Sequence, residues 1–241
     1  KMRICQVIDS LNVGGAERVC VDMCNLLEEK QSDFHLLVLV SKGDLFNDLN
    51  VNIDYTILNR TNKYSISKFK ETRDVIKQFD IIHCHFKHVY KYIKIVSLLF
   101  NLQKLKIVLH DHGEIDFKNK NHRFLKTFLT PKFYIGVSRN QIDLLSIKKN
   151  ILIFLLKNII NETYSKYDLN HEYDLVLVSN IKREKNQQFA AKFAAFYSLS
   201  ILFIGKNQDN TYFKNLKDYC NKANVTYSIL ENVNNAQAYL H

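Results

Sequence analysis

The chain has 241 residues, 46% hydrophobic and 24% charged, and 34 Lys+Arg against 24 Asp+Glu leave a formal charge of +10. That make-up excludes a disordered chain, a collagen and a small knotted scaffold, and at this length no disulfide or metal staple is needed to bury a core. No apolar run reaches the roughly 18 residues of a membrane span, and no signal-peptide apolar region follows Lys1, so a soluble cytoplasmic chain is expected. The five cysteines (Cys5, Cys20, Cys24, Cys84 and Cys220) are odd in number and sit in apolar settings, which implies reduced, packed thiols. Lys1 before Met2 reads as a tag remnant or as an excerpt of a longer chain.

Apolar strands alternate with amphipathic helices from end to end, the pattern of an α/β protein with parallel sheets. The spacing predicts a strand over 3–8, a loop carrying Gly14-Gly15, a helix over 16–29 and a strand over 34–40. Strands follow over 51–58, 81–86, 106–110, 133–137 and 151–156, with helices over 65–79, 87–103, 122–129 and 139–147. Residues 1–160 are read as a first Rossmann-like domain and the polar stretch 161–172 as a linker. A second unit over 173–241 predicts strands over 174–178, 200–204 and 225–230, helices over 186–197 and 210–223, and a last helix begun at Asn234. It stops in mid-pattern, too short for a complete doubly wound domain of about 100 to 150 residues.

Charge is uneven. Residues 87–106 hold five Lys and no acid, and residues 118–149 hold eight Lys+Arg against Asp143. The first domain is therefore expected to present a basic face to an anionic partner, with an anionic membrane surface the candidate. Nucleic acid is not expected, because no recognisable binding motif accompanies the charge.

Gly14-Gly15 between a strand and a helix suits a phosphate, since unpaired helix N–H groups and the macrodipole favour an anion there. A dinucleotide fingerprint, G-x-G-x-x-G, is absent, which argues against a nicotinamide-dependent oxidoreductase. His83 and His85 alternate on one strand, and His110 and His112 repeat that spacing on another. Four imidazoles at neighbouring strand ends, with Asp111, leave a metal-dependent hydrolase as a rival reading. The hydrolase pattern H-x-H-x-D-H would place Asp where Lys87 stands, and an ammonium beside a metal is unfavourable, so no metal is expected.

Gly14-Gly15-Ala16-Glu17-Arg18-Val19 closely resembles the GGAERV signature of the retaining GT-B glycosyltransferases of the "group 1" family, glycosyltransferase family 4. Later segments agree in order. Asp80-Ile81-Ile82-His83-Cys84-His85 resembles the family's D-hydrophobic-hydrophobic-H-x-H strand, and Ile107-Val108-Leu109-His110 its strand ending in a histidine. Val137-Ser138 before a helix and Lys157-Asn158 before the linker match as well. In the second unit Val178 to Asn186 is similar to the G-R-L-x-x-x-K-N phosphate segment, followed by the strand-glycine turn Ile204-Gly205.

The resemblance implies two Rossmann-like domains facing across a cleft, Gly14-Gly15 opposite Lys185, and transfer of a hexose from a nucleotide-diphosphate sugar, UDP-linked, with retention. It implies that His110 orients the donor hexose and that Gly15, Lys185, Lys182 and Arg183 hold the diphosphate. Gly14, His85 and Ser138 would line the acceptor side or the cleft, and Gly205 the nucleotide-side turn. No cofactor or metal is implied, and the acceptor would be a bacterial surface glycan or a lipid-linked glycan, which suggests a cytoplasmic protein peripheral to the inner face of the membrane. Asn180 stands where the family has Arg, Ile159 where it has the Gly of an N-G pair, and Asn207 where it has a second Gly. The family's paired glutamates, E-x(7)-E, lie beyond His241, so the resemblance implies a chain truncated in its second domain, with a non-catalytic sugar-nucleotide-binding remnant as a further alternative.

Overall fold

The computed structural model describes residues 2–113, 129–146, 150–158, 172–231 and 233. Two compact α/β units are present, Lys1–Ile160 and Asn161–His241. The helix predicted over 122–129, all but Glu172 of the linker, Ile159 and the helix begun at Asn234 lie outside the described residues, apart from Leu129.

The first unit runs β1 (Ile4–Ser10), α1 (Gly15–Glu29), β2 (Phe34–Ser41), a 3-10 turn (Asp44–Asp48), β3 (Tyr55–Ile57), α2 (Ile66–Ile76), β4 (Ile81–His85) and α3 (Lys87–Leu99). It continues with β5 (Lys106–Asp111), β6 (Phe133–Gly136), α4 (Arg139–Ser146) and β7 (Leu152–Leu155). The seven strands are all parallel, in the order β3-β2-β1-β4-β5-β6-β7. Both faces of such a sheet must be covered. Cys20, Val21 and Cys24 of α1 pack with Ile8, Leu36 and Val38 on one face. On the other, Ile76, Val89, Ile93, Val96 and Leu145 from α2, α3 and α4 pack with Cys5, Val7, Leu37, Ile82 and Leu109.

The order reverses between β1 and β4, so connections leave these neighbours in opposite directions and a crevice opens beyond their carboxyl ends. The loop after β1 is pinned there. Gly43 has φ +71, and a side chain on it would collide with the Leu11–Asn12 backbone, while Leu45 donates its N–H to the Leu11 carbonyl at 2.9 Å.

Two boundaries differ from the sequence expectation for local reasons. The helix predicted over 87–103 stops at Leu99, because Asn101 takes the left-handed conformation (φ 54) and the Asn101 and Leu102 N–H groups close back on Leu98 and Ser97. The strand predicted from Val51 begins at Tyr55, because Asn50 is held by Asn25 and Glu28 of α1 and Val51 projects into solvent.

The second unit runs β8 (Leu175–Val178), a 3-10 turn (Arg183–Lys185), α5 (Gln187–Tyr197), β9 (Ile201–Ile204), α6 (Asn210–Lys222) and β10 (Tyr227–Leu230). Its three parallel strands are ordered β10-β9-β8. Ala191 and Ala194 of α5 and Tyr212, Leu216 and Cys220 of α6 pack with Ile201 and Phe203.

All five cysteines are free and buried. Burial drives the Cys5 and Cys84 thiols well above their ordinary range, so little reactive thiolate forms. A thiol reagent at neutral pH is expected to label the native protein slowly and all five cysteines once it is unfolded by guanidinium; fast native labelling would contradict this packing.

Candidate functional site

The crevice edge is built from the first βα turn. Gly14 is the N-cap of α1, with extended backbone and no side-chain cap. A side chain added to Gly15 would meet open space, so the first turn of α1 is approachable at this position. The Glu17 carboxylate curls back on Gly14 and occupies part of that turn. Burial raises its pKa, against the opposing pull of its own N–H and of His88.

Four histidines stack beneath this edge. His85 is fully buried; its Nε2 donates to Gln6 Oε1 at 3.0 Å, and its Nδ1 then accepts from His112 Nε2 at 3.0 Å. His83 Nε2 and His110 Nδ1 lie 3.2 Å apart and share a proton. His110 Nε2 and His112 Nδ1 are buried with no protein partner. Burial is the main force holding the rings neutral, with neighbouring rings adding to it for the first three: His83 falls to about 4, His110 to about 2 and His85 well below its usual value. His112 falls to about 4 through burial, against an opposing pull from Asp111.

His83, His85 and His110 have ring nitrogens within 4.8 Å of one another, the one such grouping among the described residues. Both His85 nitrogens already have protein partners, so a metal held by the three rings would have to displace one of those bonds. Asp111 is engaged elsewhere, receiving the Tyr134 hydroxyl at 2.9 Å and pairing with Lys87 at 3.0 Å. His85, predicted to line the acceptor side, thus supports the strand ends from within.

Nearer the surface the structure brings together three residues that sequence reasoning missed. Asp9, at the end of β1, accepts from Arg60 Nη2 at 2.8 Å through Oδ1 and lies 3.2 Å from His88 Nε2 through Oδ2. Burial pushes the Asp9 carboxyl up, but the His88 hydrogen bond and the charges of His88 and Arg60 outweigh it and hold it below the usual range. The three are 51 and 79 positions apart in sequence, and no local motif joins them.

Ser138 is exposed at the carboxyl end of β6 and forms a capping box with Gln141: its hydroxyl accepts from Gln141 N, and Gln141 Oε1 accepts from Ser138 N. Gln141, also missed, donates to the carbonyls of Asp111 and Gly113 and ties β5 to β6.

In the second unit Lys182, Arg183 and Lys185 lie in the turn between β8 and α5, with Arg183 and Lys185 exposed. Asn186, in left-handed conformation, begins α5 without a side-chain cap. Gln187 Nε2 donates to Ser179 Oγ and the Asn180 carbonyl, so the loop at Asn180 is held by a glutamine the sequence reading did not single out. Gly205 (φ +153) lets β9 pass against the Ser179 carbonyl, where a side chain would collide. Asn207, in place of the second glycine, pairs with Ile181 in an isolated bridge and bonds Asn210.

A family model described as Glycosyltransferase Family 4 matches residues 13–145. Among solved structures the chain is similar to Anabaena HepE in complex with UDP and glucose, at 14% identity and TM-score 0.77, covering 96% of this chain and 69% of that one. It is similar to a glycosyltransferase of Rickettsia africae, at 15% identity and TM-score 0.66, over 97% and 69% of the two chains. It also resembles the lipopolysaccharide outer core galactosyltransferase WaaB, at 14% identity and TM-score 0.59, over 98% and 70%. None of the curated proteins compared matches the chain. The structural likeness establishes a GT-B fold.

The histidine stack makes stability depend on pH. Each ring binds a proton less readily in the fold than in the unfolded chain, so stability is full above the unfolded value of about 6.5. It is lost as pH falls toward about 4, where His83 and His112 protonate in the fold, at about 1.4 kcal/mol per pH unit per ring. Thermal unfolding should therefore show a steady Tm above neutrality and a steep fall between about pH 6.5 and 5; an unchanged Tm across that interval would show that the rings are not buried and neutral.

Proposed function

The chain belongs to glycosyltransferase family 4, and from that premise we propose that it transfers a hexose from a UDP-linked sugar to a bacterial surface-glycan or lipid-linked acceptor with retention. The observation that carries this reading is the turn between β8 and α5, where Lys182, Arg183 and Lys185 gather at a helix start that has no side-chain cap. Breaking the bond to a diphosphate leaves charge on the phosphate oxygens, and cations with unpaired N–H groups stabilise that charge as it develops. HepE, similar in fold, has been solved with UDP-glucose, which supports a UDP-linked donor.

In this reading Lys185, with Lys182 and Arg183, holds the donor diphosphate, and Gly15 offers the open first turn of α1. His110 orients the hexose through Nε2, the ring nitrogen that no protein group satisfies. Gly14 and Ser138 belong to the acceptor edge, and Gly205 shapes the nucleotide-side turn. The chemistry needs no divalent metal in this scheme, because the cations and backbone dipoles do the electrostatic work.

A membrane partner is part of the proposal. Residues 87–106, from α3 to the start of β5, carry Lys87, Lys91, Lys94, Lys104 and Lys106 with no acid among them, Lys87 being paired with Asp111, and expose Leu98 and Leu99. Partial burial, and after it the charge of Lys132, lower the Lys94 pKa. An anionic bilayer would meet these cations and accept the two leucines, at about 1 kcal/mol per near-surface lysine.

Two outcomes are expected. Given a panel of UDP-hexoses, the protein should release UDP, NMR of the product should show the donor's anomeric configuration, and Lys185→Ala or His110→Ala should lower kcat/KM by roughly a hundredfold. No UDP release from any donor would refute the reading. Separately, the protein should co-sediment with phosphatidylglycerol vesicles, less so as salt is added and less so as Leu98→Ser/Leu99→Ser. Equal binding to neutral vesicles would leave the lysines as a solvated face.

A further inference from the structure

We propose that the exposed aromatic stripe of α5 is the face through which two copies of this chain pair. The inference concerns the second unit alone and stands whether or not the transfer reading above holds.

The helix is built inside out. A helix lying on a sheet normally turns its large apolar side chains to the core and its charged ones to water. In α5 the buried positions are Gln187, Ala191 and Ala194, small or polar, while Phe189, Phe193, Phe196 and Tyr197 are 65%, 43%, 78% and 56% exposed. The two alanines pack with Ile201 and Phe203, so the core of this unit closes without the four rings.

The outward residues recur at i, i+4, i+7 and i+8 and form one stripe along the helix. That spacing is the seam by which one helix packs on another. The rings already touch: the Tyr197 centroid lies 4.7 Å from that of Phe193 and 4.8 Å from that of Phe196, the latter edge to face. The patch is ordered before a partner arrives, and little side-chain freedom is lost on covering it.

Charge selects the occupant. Lys192 is the only charged residue of α5. A helix that settles into a lipid surface carries several Lys or Arg on its polar face, and α5 lacks them. A strongly acidic or basic protein partner would be met by opposite charges, which the stripe does not offer. A second copy needs none, because a two-fold axis sets the same uncharged stripe against itself. Residues 172–231 hold eight Lys+Arg against six Asp+Glu, so most of the chain's +10 lies elsewhere in the sequence and repulsion through this unit is small.

The area agrees. A large aromatic side chain buries about 150–250 Å², so the exposed fractions of these four amount to roughly 500 Å² per chain. Two copies together remove roughly 1,000 Å² from water, the least that a specific interface needs, and the pair is weak and reversible. A two-fold contact also closes, leaving no aromatic face to recruit a third chain.

The test is sedimentation equilibrium across a concentration series. The wild type should pass from monomer to dimer with a Kd on the order of tens of micromolar, and added sodium chloride should not weaken the pair, since apolar burial drives it. Phe189→Glu/Phe196→Glu should raise that Kd by at least about tenfold, with circular dichroism and Tm unchanged because both side chains are exposed. A second measurement locates the face. The native cysteines are all buried, so Phe193→Cys supplies the one exposed thiol, and mild oxidation should link two chains through it. Asn215→Cys, exposed on α6, should stay unlinked. A wild type that remains monomeric throughout the series, whatever else covers the stripe, would overturn the inference. So would a dimer that persists unchanged in Phe189→Glu/Phe196→Glu, or that links as readily through Asn215→Cys, because either result puts the contact elsewhere.

Discussion

A parallel sheet cannot leave a face to water, and the first unit depends on how that requirement is met. Right-handed crossovers put α1 over one face and α2, α3 and α4 over the other only because the strand order reverses between β1 and β4. The chain therefore leaves these two strands in opposite directions, and their carboxyl ends are not roofed by their own connections. Asp9, the Gly14–Gly15 turn, His85 and His88 all follow from that one topological break.

The charge state of the polar groups at this edge follows from solvation and pairing. Deep in the sheet four imidazoles stay neutral, because charging one would require burying it among three others. They become mutual hydrogen-bonding groups anchored on Gln6. Full charges persist where they are paired: the buried Arg60 with Asp9, and the buried Asp111 with Lys87. The neutral stack below is suited to orientation.

The strands and helices were legible because buried parallel strands are continuous apolar runs and the amphipathic helices between them keep their period. Boundaries failed where a polar side chain imposed a stop: Asn101 ends α3 by adopting a left-handed turn, and Asn50 delays β3 by bonding to α1. The glycine turn and the histidine strands could be read because they are local in sequence. Asp9, Arg60 and His88 could not, since strand pairing joins them across 51 and 79 positions. Gly43 was equally hidden, because its need for positive φ arises from the Leu11–Asn12 backbone it must clear.

The two units solve a shared problem in the same way. A strand that ends in a loop before a helix exposes backbone groups, and each unit satisfies them with a glutamine from the first turn of that helix: Gln141 after β6 and Gln187 after β8. An amide does this without charge. An Asp or Glu in the same place would put an anion beside helix N–H groups and weaken any attraction for phosphate. In the second unit the neutral amide leaves Lys182, Arg183 and Lys185 to set the sign of the field at the start of α5, with Glu184 the one acid in that turn. The first unit departs from this at α1, where Glu17 folds its carboxylate over Gly14 at the helix start. That placement sets a carboxylate at the start of α1, where the start of α5 carries cations.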